Sequence, residues 1–167
     1  MKIIQALTSD RPTILQLCRL AAEQMKAKGI DHWQYWLDPP ADKLAWVDEG
    51  LSWRQYHFVY QKGQLIGMYR LQYTDELYWG KQEAAAGYVH ALVVHPDFKG
   101  QGWGPKFMRA IEAQLLTEGI DRLRLDCNSE NHFLCRYYES LGFKRVGEVQ
   151  MPYSLNARYE KLLLGNS

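Results

Sequence analysis

Two periods of apolar residues divide the chain into predicted helices and strands. Apolar positions recur at helical spacing in four segments, 14–25, 41–50, 107–116 and 131–141. Glycine follows three of them, at Gly29, Gly119 and Gly142, where a helix commonly ends. We therefore expect four helices.

Shorter segments with β-branched and apolar residues predict seven strands, 3–7, 57–61, 65–73, 88–94, 123–127, 143–149 and 155–163. Lys62-Gly63 indicates a hairpin turn between the second and third. In the fifth, Arg122 and Arg124 alternate with leucines, and we interpret them as a solvated strand face. The order β-α-α-β-β-β-α-β-α-β-β predicts an α/β (α+β) fold, with helices flanking a mixed, mostly antiparallel sheet. Without repeats or linkers, residues 1–167 are predicted to form one domain.

Composition narrows the classes of partner. The chain has 167 residues, 47% hydrophobic and 23% charged, with a net charge of +1. This balance predicts no nucleic-acid or membrane partner, and no stretch approaches the roughly 20 apolar residues of a membrane span. The three cysteines, Cys18, Cys127 and Cys135, contain no CxxC pair. Such sparse cysteine use favours a reducing, cytoplasmic location.

A loop of alternate glycines is the most informative segment. Lys99-Gly100-Gln101-Gly102-Trp103-Gly104 lies between a predicted strand and a predicted helix. Glycines let backbone N–H groups approach a ligand closely, and a helix N-terminus adds unpaired N–H groups, which together bind phosphate. The loop lacks the GK[ST] of a nucleotide-binding P-loop and the GxGxxG spacing of a dinucleotide fold. Phosphate binding and a purely structural turn both stay open at this point.

The surrounding residues resemble those of a known family. The pattern V-x-P before [QR]-x-x-G-x-[GA], motif A of the GNAT acetyltransferases, is matched by Val94, Pro96, Lys99, Gly102 and Gly104. Lys99 stands where Gln or Arg is usual. Residues 131–143 resemble the family's N-x-x-A-x-x-x-Y-E-x-x-G-F, with Leu134 in the small-residue position. With the matching element order, the resemblance covers nearly the whole chain and implies a GNAT fold.

The resemblance implies acetyl-CoA as co-substrate and a set of residues that hold it. The pantetheine arm would pair with the strand at Leu92, Val93 and Val94, which splays from the next strand. A backbone N–H near Val93 or Val94 would polarise the thioester carbonyl. The pyrophosphate would be held by Lys99, Gly100, Gln101, Gly102, Trp103 and Gly104. Asn131 would contact the cofactor arm.

Two side chains are predicted to be catalytic. An alkylamine is almost fully protonated at neutral pH, so acetyl transfer needs a proton acceptor. His90 lies two residues before Leu92 on a predicted strand, so we expect both side chains to point to the same face. The segment 88–94 also resembles the arylalkylamine branch of the family, where a histidine at this position serves in deprotonation. Tyr88 or ordered water stays open as the alternative. Tyr138, at the family's tyrosine position, is predicted to protonate the departing sulfur.

Other chemistry receives less support. Cys127 could be imagined as a covalent acyl carrier, but the family transfers the acetyl group directly. The five histidines lack metal-ligand spacing, and no metal site is predicted. A small-molecule amine is the expected acceptor, with protein or peptide N-acetylation and a non-catalytic acyl-CoA-binding module as alternatives. A homodimer stays possible.

Overall fold

The computed structural model of the chain describes residues 1–164. Within them, the α-helices are α1 (Arg11–Ala27), α2 (Ala41–Ser52), α3 (Glu76–Trp79), α4 (Trp103–Thr117) and α5 (His132–Ser140). The strands are β1 (Lys2–Gln5), β2 (Tyr56–Gln61), β3 (Gln64–Gln72), β4 (Gly87–Val94), β5 (Arg122–Asn128), β6 (Lys144–Gln150) and β7 (Leu155–Leu162). Short 3₁₀ turns lie at Thr8–Asp10, Gln34–Leu37 and Pro96–Phe98. The predicted order is confirmed, with one addition.

That addition is α3, a single turn in a segment expected to be a loop. The Asp75 side chain accepts a hydrogen bond from the Tyr78 backbone N–H, and Gly80, with φ of 66°, ends the turn. One turn is too short to show a hydrophobic period, so the periodicity could not reveal it. This turn carries Tyr78 and the buried Trp79.

The seven strands follow the order β1-β2-β3-β4-β5-β7-β6 in one sheet. The β1–β2, β2–β3, β5–β7 and β6–β7 pairs are antiparallel, whereas β4 and β5 are parallel. Lys62 and Gly63 join β2 to β3 with positive φ angles of 50° and 76°. These angles are those of a tight hairpin turn that matches the strand twist. The predicted mixed, mostly antiparallel sheet is confirmed.

The described residues group into two compact units, and strands β3 and β4 have residues in both. The first unit comprises Met1–Leu71 with Ala91–Phe107, and the second comprises Gln72–His90 with the chain from Met108 onward. The core of the first includes Ile14, Leu17, Cys18, Val47, Leu51, Tyr56, Phe58, Met68 and Val93. Buried apolar residues of the second include Leu115, Leu123, Leu125, Cys135, Phe143, Ala157 and Tyr159. One domain over 1–167 stays a prediction, and its last three residues lie outside the described residues.

The interpretation of β5 as having a solvated arginine face is wrong for Arg124. Its side chain is buried in the second unit, donates to Glu160 Oε2 at 2.7 Å and donates to the Tyr88 hydroxyl at 2.7 Å. Its guanidinium also lies 5.0 Å from the centre of the Trp79 ring. Alternation indicates which residues of a strand share a face but not what packs on that face. Here Tyr88, Trp79 and Glu160 pack around Arg124 and satisfy its buried polar group.

Candidate active site

The glycine loop leaves open space beside its backbone. Gly100 and Gly102 have φ angles of 76° and 78°, and a side-chain carbon built at either position would meet no atom within 4 Å. Helix α4 begins at Trp103, directly after this turn, with the Lys106 N–H donating to the Gly102 carbonyl. The preceding N–H groups of a helix start have no intrahelical acceptor. The loop therefore offers the backbone geometry that a phosphate requires.

Lysine charge beside the loop fits the same ligand. Burial lowers the pKa of the Lys99 ammonium, and the nearby positive charge of Lys28 lowers it further. Two cations that repel each other are stabilised when an anion binds between or beside them. The loop and these lysines thus fit a pyrophosphate, and Lys99 places a positive charge at the position where the family pattern has Gln or Arg.

The end of β4 presents its backbone in a defined direction within the first unit. The His95 N–H donates to the Ile66 carbonyl on β3 at 2.7 Å, and the Val93 carbonyl lies against Gly67 on β3. Because neighbouring residues of a strand direct their N–H groups to opposite sides, the N–H groups of Leu92 and Val94 point away from β3. Of the two groups expected to polarise the thioester, the backbone direction favours Val94 over Val93.

Ala91 interrupts the regular strand between His90 and Leu92. Its φ of 49° lies in the left-handed region that non-glycine residues rarely adopt. The expectation that His90 and Leu92 share a face assumed regular alternation, so it no longer follows. Backbone strain of this kind commonly marks functional positions, and here it falls directly after the predicted base.

His90 lies in a polar cluster of the second unit, with its side chain 10% exposed. Asp75 Oδ2 accepts a hydrogen bond from His90 Nε2 at 2.6 Å, and Asp126 Oδ1 lies 3.8 Å from His90 Nδ1. The Tyr78 ring is tilted against the imidazole, with centres 4.9 Å apart. Asn156 Nδ2 donates to Asp126 Oδ2 at 2.6 Å. Two carboxylates therefore flank the imidazole.

Asp126 is unusual among these groups. Its side chain is 4% exposed, and Oδ1 is buried with no hydrogen-bond partner among residues 1–164. Burial raises the pKa of the Asp126 carboxyl above its usual range, and the nearby Asp75 raises it further. A positive charge on His90 or on Arg158 lowers the pKa of the same carboxyl. Because the carboxyl is buried, a positive neighbour strongly stabilises its ionised form.

Asp75, His90 and Asp126 also form a donor set of the kind that binds metal ions, with ligand atoms within 4.8 Å of one another. Two ligands of a tetrahedral zinc stand about 3.3 Å apart when each is about 2.0 Å from the metal. Asp75 Oδ2 and His90 Nε2 are 2.6 Å apart, which is a hydrogen-bond distance. The geometry favours hydrogen bonding over coordination, and the absence of a metal stays a prediction.

Tyr138 lies on α5 with a half-buried side chain. Burial raises the pKa of its hydroxyl, and the nearby Cys127 raises it further. The group is therefore protonated at neutral pH, as a proton donor must be. Its ring packs against Tyr137, Phe143 and Tyr159. Within residues 1–164, no protein group forms a hydrogen bond with the Tyr138 hydroxyl.

Asn131 caps helix α5. Its Oδ1 accepts from the Leu134 N–H at 3.0 Å, which satisfies one of the unpaired donors of the helix start. The cap accounts for Asn131 structurally and leaves its amide N–H groups for a second partner. Contact with the cofactor arm stays a prediction.

Cys127 is buried, with its Sγ 3.7 Å from Cys135 Sγ. Burial and the neighbouring thiol raise the pKa of Cys127 well above its usual range. A thiol that resists ionisation is a poor nucleophile, so the structure gives no support to a covalent acyl carrier.

Sequence reasoning missed the partners of His90. Asp75 and Tyr78 lie 15 and 12 residues before it along the chain, and Asp126 lies on β5. No spacing links these residues, because the turn before α3 and strand β5 bring them together. The turn chemistry of Asp75 was the one signal that could have marked its place before a helical turn.

Comparison with known proteins identifies the family to which the chain belongs. The model of the Acetyltransferase (GNAT) family matches residues 16–143. The chain belongs to this family, as an acetyl-CoA-dependent N-acetyltransferase.

Individual relatives agree with this assignment. The chain is 24% identical over 158 residues to the uncharacterized N-acetyltransferase YesJ of Bacillus subtilis, covering 90% of this chain and 85% of YesJ. A GNAT family acetyltransferase of Listeria monocytogenes superposes with a TM-score of 0.78 at 21% identity, over 97% of this chain and 94% of that one. The PaiA N-acetyltransferase of Thermoplasma acidophilum, solved in complex with coenzyme A, superposes with a TM-score of 0.63 at 16% identity, over 96% of this chain and 98% of that one.

No helix among residues 1–164 combines the length and apolar character needed to cross a membrane.

Proposed function

We propose that this enzyme acetylates a small primary amine, with His90 accepting the proton of the amine and Tyr138 protonating the departing sulfur. The observation that carries the proposal is the His90 cluster. A half-buried imidazole hydrogen-bonded to a buried carboxylate is a common arrangement for a general base. It lies on β4, the same strand that continues to Leu92 and Val94.

Acetyl-CoA supplies a thioester whose acyl carbon reacts with the amine nitrogen. The open backbone of Gly100 and Gly102, with Lys99 beside it, would hold the pyrophosphate. Gln101, Trp103 and Gly104 complete the proposed loop contacts. Leu92, Val93 and Val94 would pair with the pantetheine arm, the Val94 N–H would polarise the carbonyl, and Asn131 would contact the arm.

Proton transfers complete the reaction. An alkylammonium has a pKa of about 10.4 and cannot attack until it loses a proton, which His90 accepts. As the new C–N bond forms and the C–S bond breaks, Tyr138 donates its hydroxyl proton to sulfur. The second amine proton returns to the Tyr138 oxygen through water, and His90 releases its proton to solvent. Tyr88 is a poor alternative base, because its hydroxyl accepts from the buried Arg124.

Two features of the second unit support a small, cationic acceptor. The His90 side chain is 10% exposed, and Tyr78 packs against its ring, so a slender alkylamine reaches it more readily than a bulky group. Asp75 and Asp126 add negative charge that attracts an ammonium.

The test measures release of free thiol from acetyl-CoA with a panel of alkylamines, arylalkylamines and short peptides. We expect turnover with one class of small amine, and a loss of about 100-fold in His90→Gln with acetyl-CoA affinity unchanged. His132→Gln is the matched control, since His132 lies exposed at the start of α5. Turnover confined to peptides would refute the small acceptor, and acetyl-CoA binding without turnover on any amine would indicate a non-catalytic binding module.

A further inference from the structure

The hydrogen bond between Asp75 and His90 determines which imidazole nitrogen carries hydrogen. An ionised carboxylate only accepts, so the 2.6 Å contact with Asp75 Oδ2 requires a hydrogen on Nε2. In neutral imidazole the lone pair then lies on the other nitrogen, Nδ1. The base of the proposed reaction is therefore restricted to Nδ1.

Asp75 is itself held in place from two directions. Its other carboxylate oxygen, Oδ1, accepts from the Tyr78 N–H at 3.3 Å, and its backbone carbonyl accepts from the Trp79 N–H at 2.8 Å. The side chain is 3% exposed. Because Tyr78 also packs against the imidazole, the same turn fixes both the hydrogen-bond acceptor and the ring that confines His90.

Nδ1 faces a second carboxylate. Asp126 Oδ1 lies 3.8 Å away, buried and without a hydrogen-bond partner in the described part of the chain. With the lone pair on Nδ1, two acceptors face each other. A proton on Nδ1 converts this contact into an ion pair, which stabilises the imidazolium. The positive charge of Arg158 lowers the pKa of the Asp126 carboxyl and so favours its ionised form, and Asn156 Nδ2 donates to the other carboxylate oxygen.

We propose that Asp75 is a positioning residue for the His90 base, which fixes Nε2–H and leaves Nδ1 to take the amine proton, with Asp75 and Asp126 stabilising the resulting imidazolium. This inference rests on the proposed function. In the step, one N–H bond of the ammonium breaks and an Nδ1–H bond forms, while the Nε2 hydrogen stays on His90. Solvent later removes the Nδ1 proton.

The first measurement needs no substrate. Long-range ¹H–¹⁵N spectra of the labelled full chain, with His90 assigned by comparison with His90→Gln, report the tautomer of each histidine as pH is raised. We expect neutral His90 to carry hydrogen on Nε2. An Nδ1–H tautomer would overturn the proposal, whether or not an acceptor has been found. Failure of the proposed function would appear separately, as absence of turnover with the amine panel.

The second measurement compares Asp75→Asn with Glu76→Gln. Asparagine keeps a side-chain oxygen for the Tyr78 N–H but removes the charge, whereas Glu76 is the exposed neighbour and gives the same charge change. We expect the pH midpoint of His90 titration to move down by roughly one pH unit in Asp75→Asn alone. The acidic midpoint of the plot of kcat/KM against pH should move down by the same amount. Acetyl-CoA affinity should stay within twofold. An unchanged midpoint would reduce Asp75 to a cap of α3 and overturn the proposal.

Discussion

Replacing Gly102 with valine tests whether the glycine loop binds the cofactor. Gly102 has φ of 78° and open space where a side chain would project. The Cβ of a valine there meets no protein atom within 4 Å, but the residue adopts a backbone region that costs an L-residue about 1–2 kcal/mol. The added methyl groups would occupy the space that a phosphate needs beside the backbone. We therefore expect a small loss of stability and a large loss of acetyl-CoA binding.

A matched control separates the two effects. Gly119, at the end of α4, has φ of 76° and the same open surroundings, yet it belongs to no predicted site. Gly119→Val should cost a similar 1–2 kcal/mol, which lowers Tm by roughly 2–8 °C for a chain of this size. Its response to acetyl-CoA should match that of the wild type.

The assay is thermal unfolding with and without acetyl-CoA. At a concentration 100 times Kd, a ligand that binds only the folded chain adds about 2.7 kcal/mol, or roughly 5–11 °C in Tm. We expect this increase in the wild type and in Gly119→Val, and its absence in Gly102→Val. If acetyl-CoA raises the Tm of Gly102→Val as much as that of Gly119→Val, the loop does not approach the cofactor and the phosphate assignment is wrong.

Three further predictions concern other positions. Tyr138→Phe should lower turnover about 100-fold with acetyl-CoA affinity unchanged, because only the proton donor is lost; an equal loss of affinity would indicate a packing role. The wild type should show no burst of thiol release in rapid mixing, and Cys127→Ala should retain turnover within a few-fold; a wild-type burst that Cys127→Ala abolishes would indicate a covalent acyl carrier. Arg124→Ala should lose about 3 kcal/mol in urea unfolding, because it leaves Glu160 and Tyr88 without their buried donor, and a loss below 1 kcal/mol would contradict that reasoning.

Local patterns were sufficient for most elements of the fold. The apolar spacing before Gly29 and Gly142 predicted α1 and α5 to within a few residues, since helices bury one face and end where glycine tolerates positive φ. Lys62-Gly63 correctly predicted the hairpin. The family motifs around Gly102 and Tyr138 then supplied the class of enzyme.

Patterns failed where partners come from distant parts of the chain. Arg124 was expected in solvent, yet Tyr88 and Glu160 lie beside it because β5 lies between β4 and β7 in the sheet order. The strand containing His90 was expected to alternate regularly, yet Ala91 adopts a left-handed backbone. Neither departure can be predicted from the local sequence, because the alternation of apolar and polar residues reflects one strand and not the residues that pack against it.

The sequence by itself determined the element order, the glycine loop and the presence of His90 and Tyr138, because each depends on residues close together in the chain. Only the tertiary structure decided what surrounds His90. Asp75 and Asp126 lie 15 residues before it and 36 residues after it, and a one-turn helix and a neighbouring strand bring their carboxylates to opposite nitrogens of one imidazole. Hydrogen bonding and charge depend on distances of a few ångströms, and the fold sets those distances.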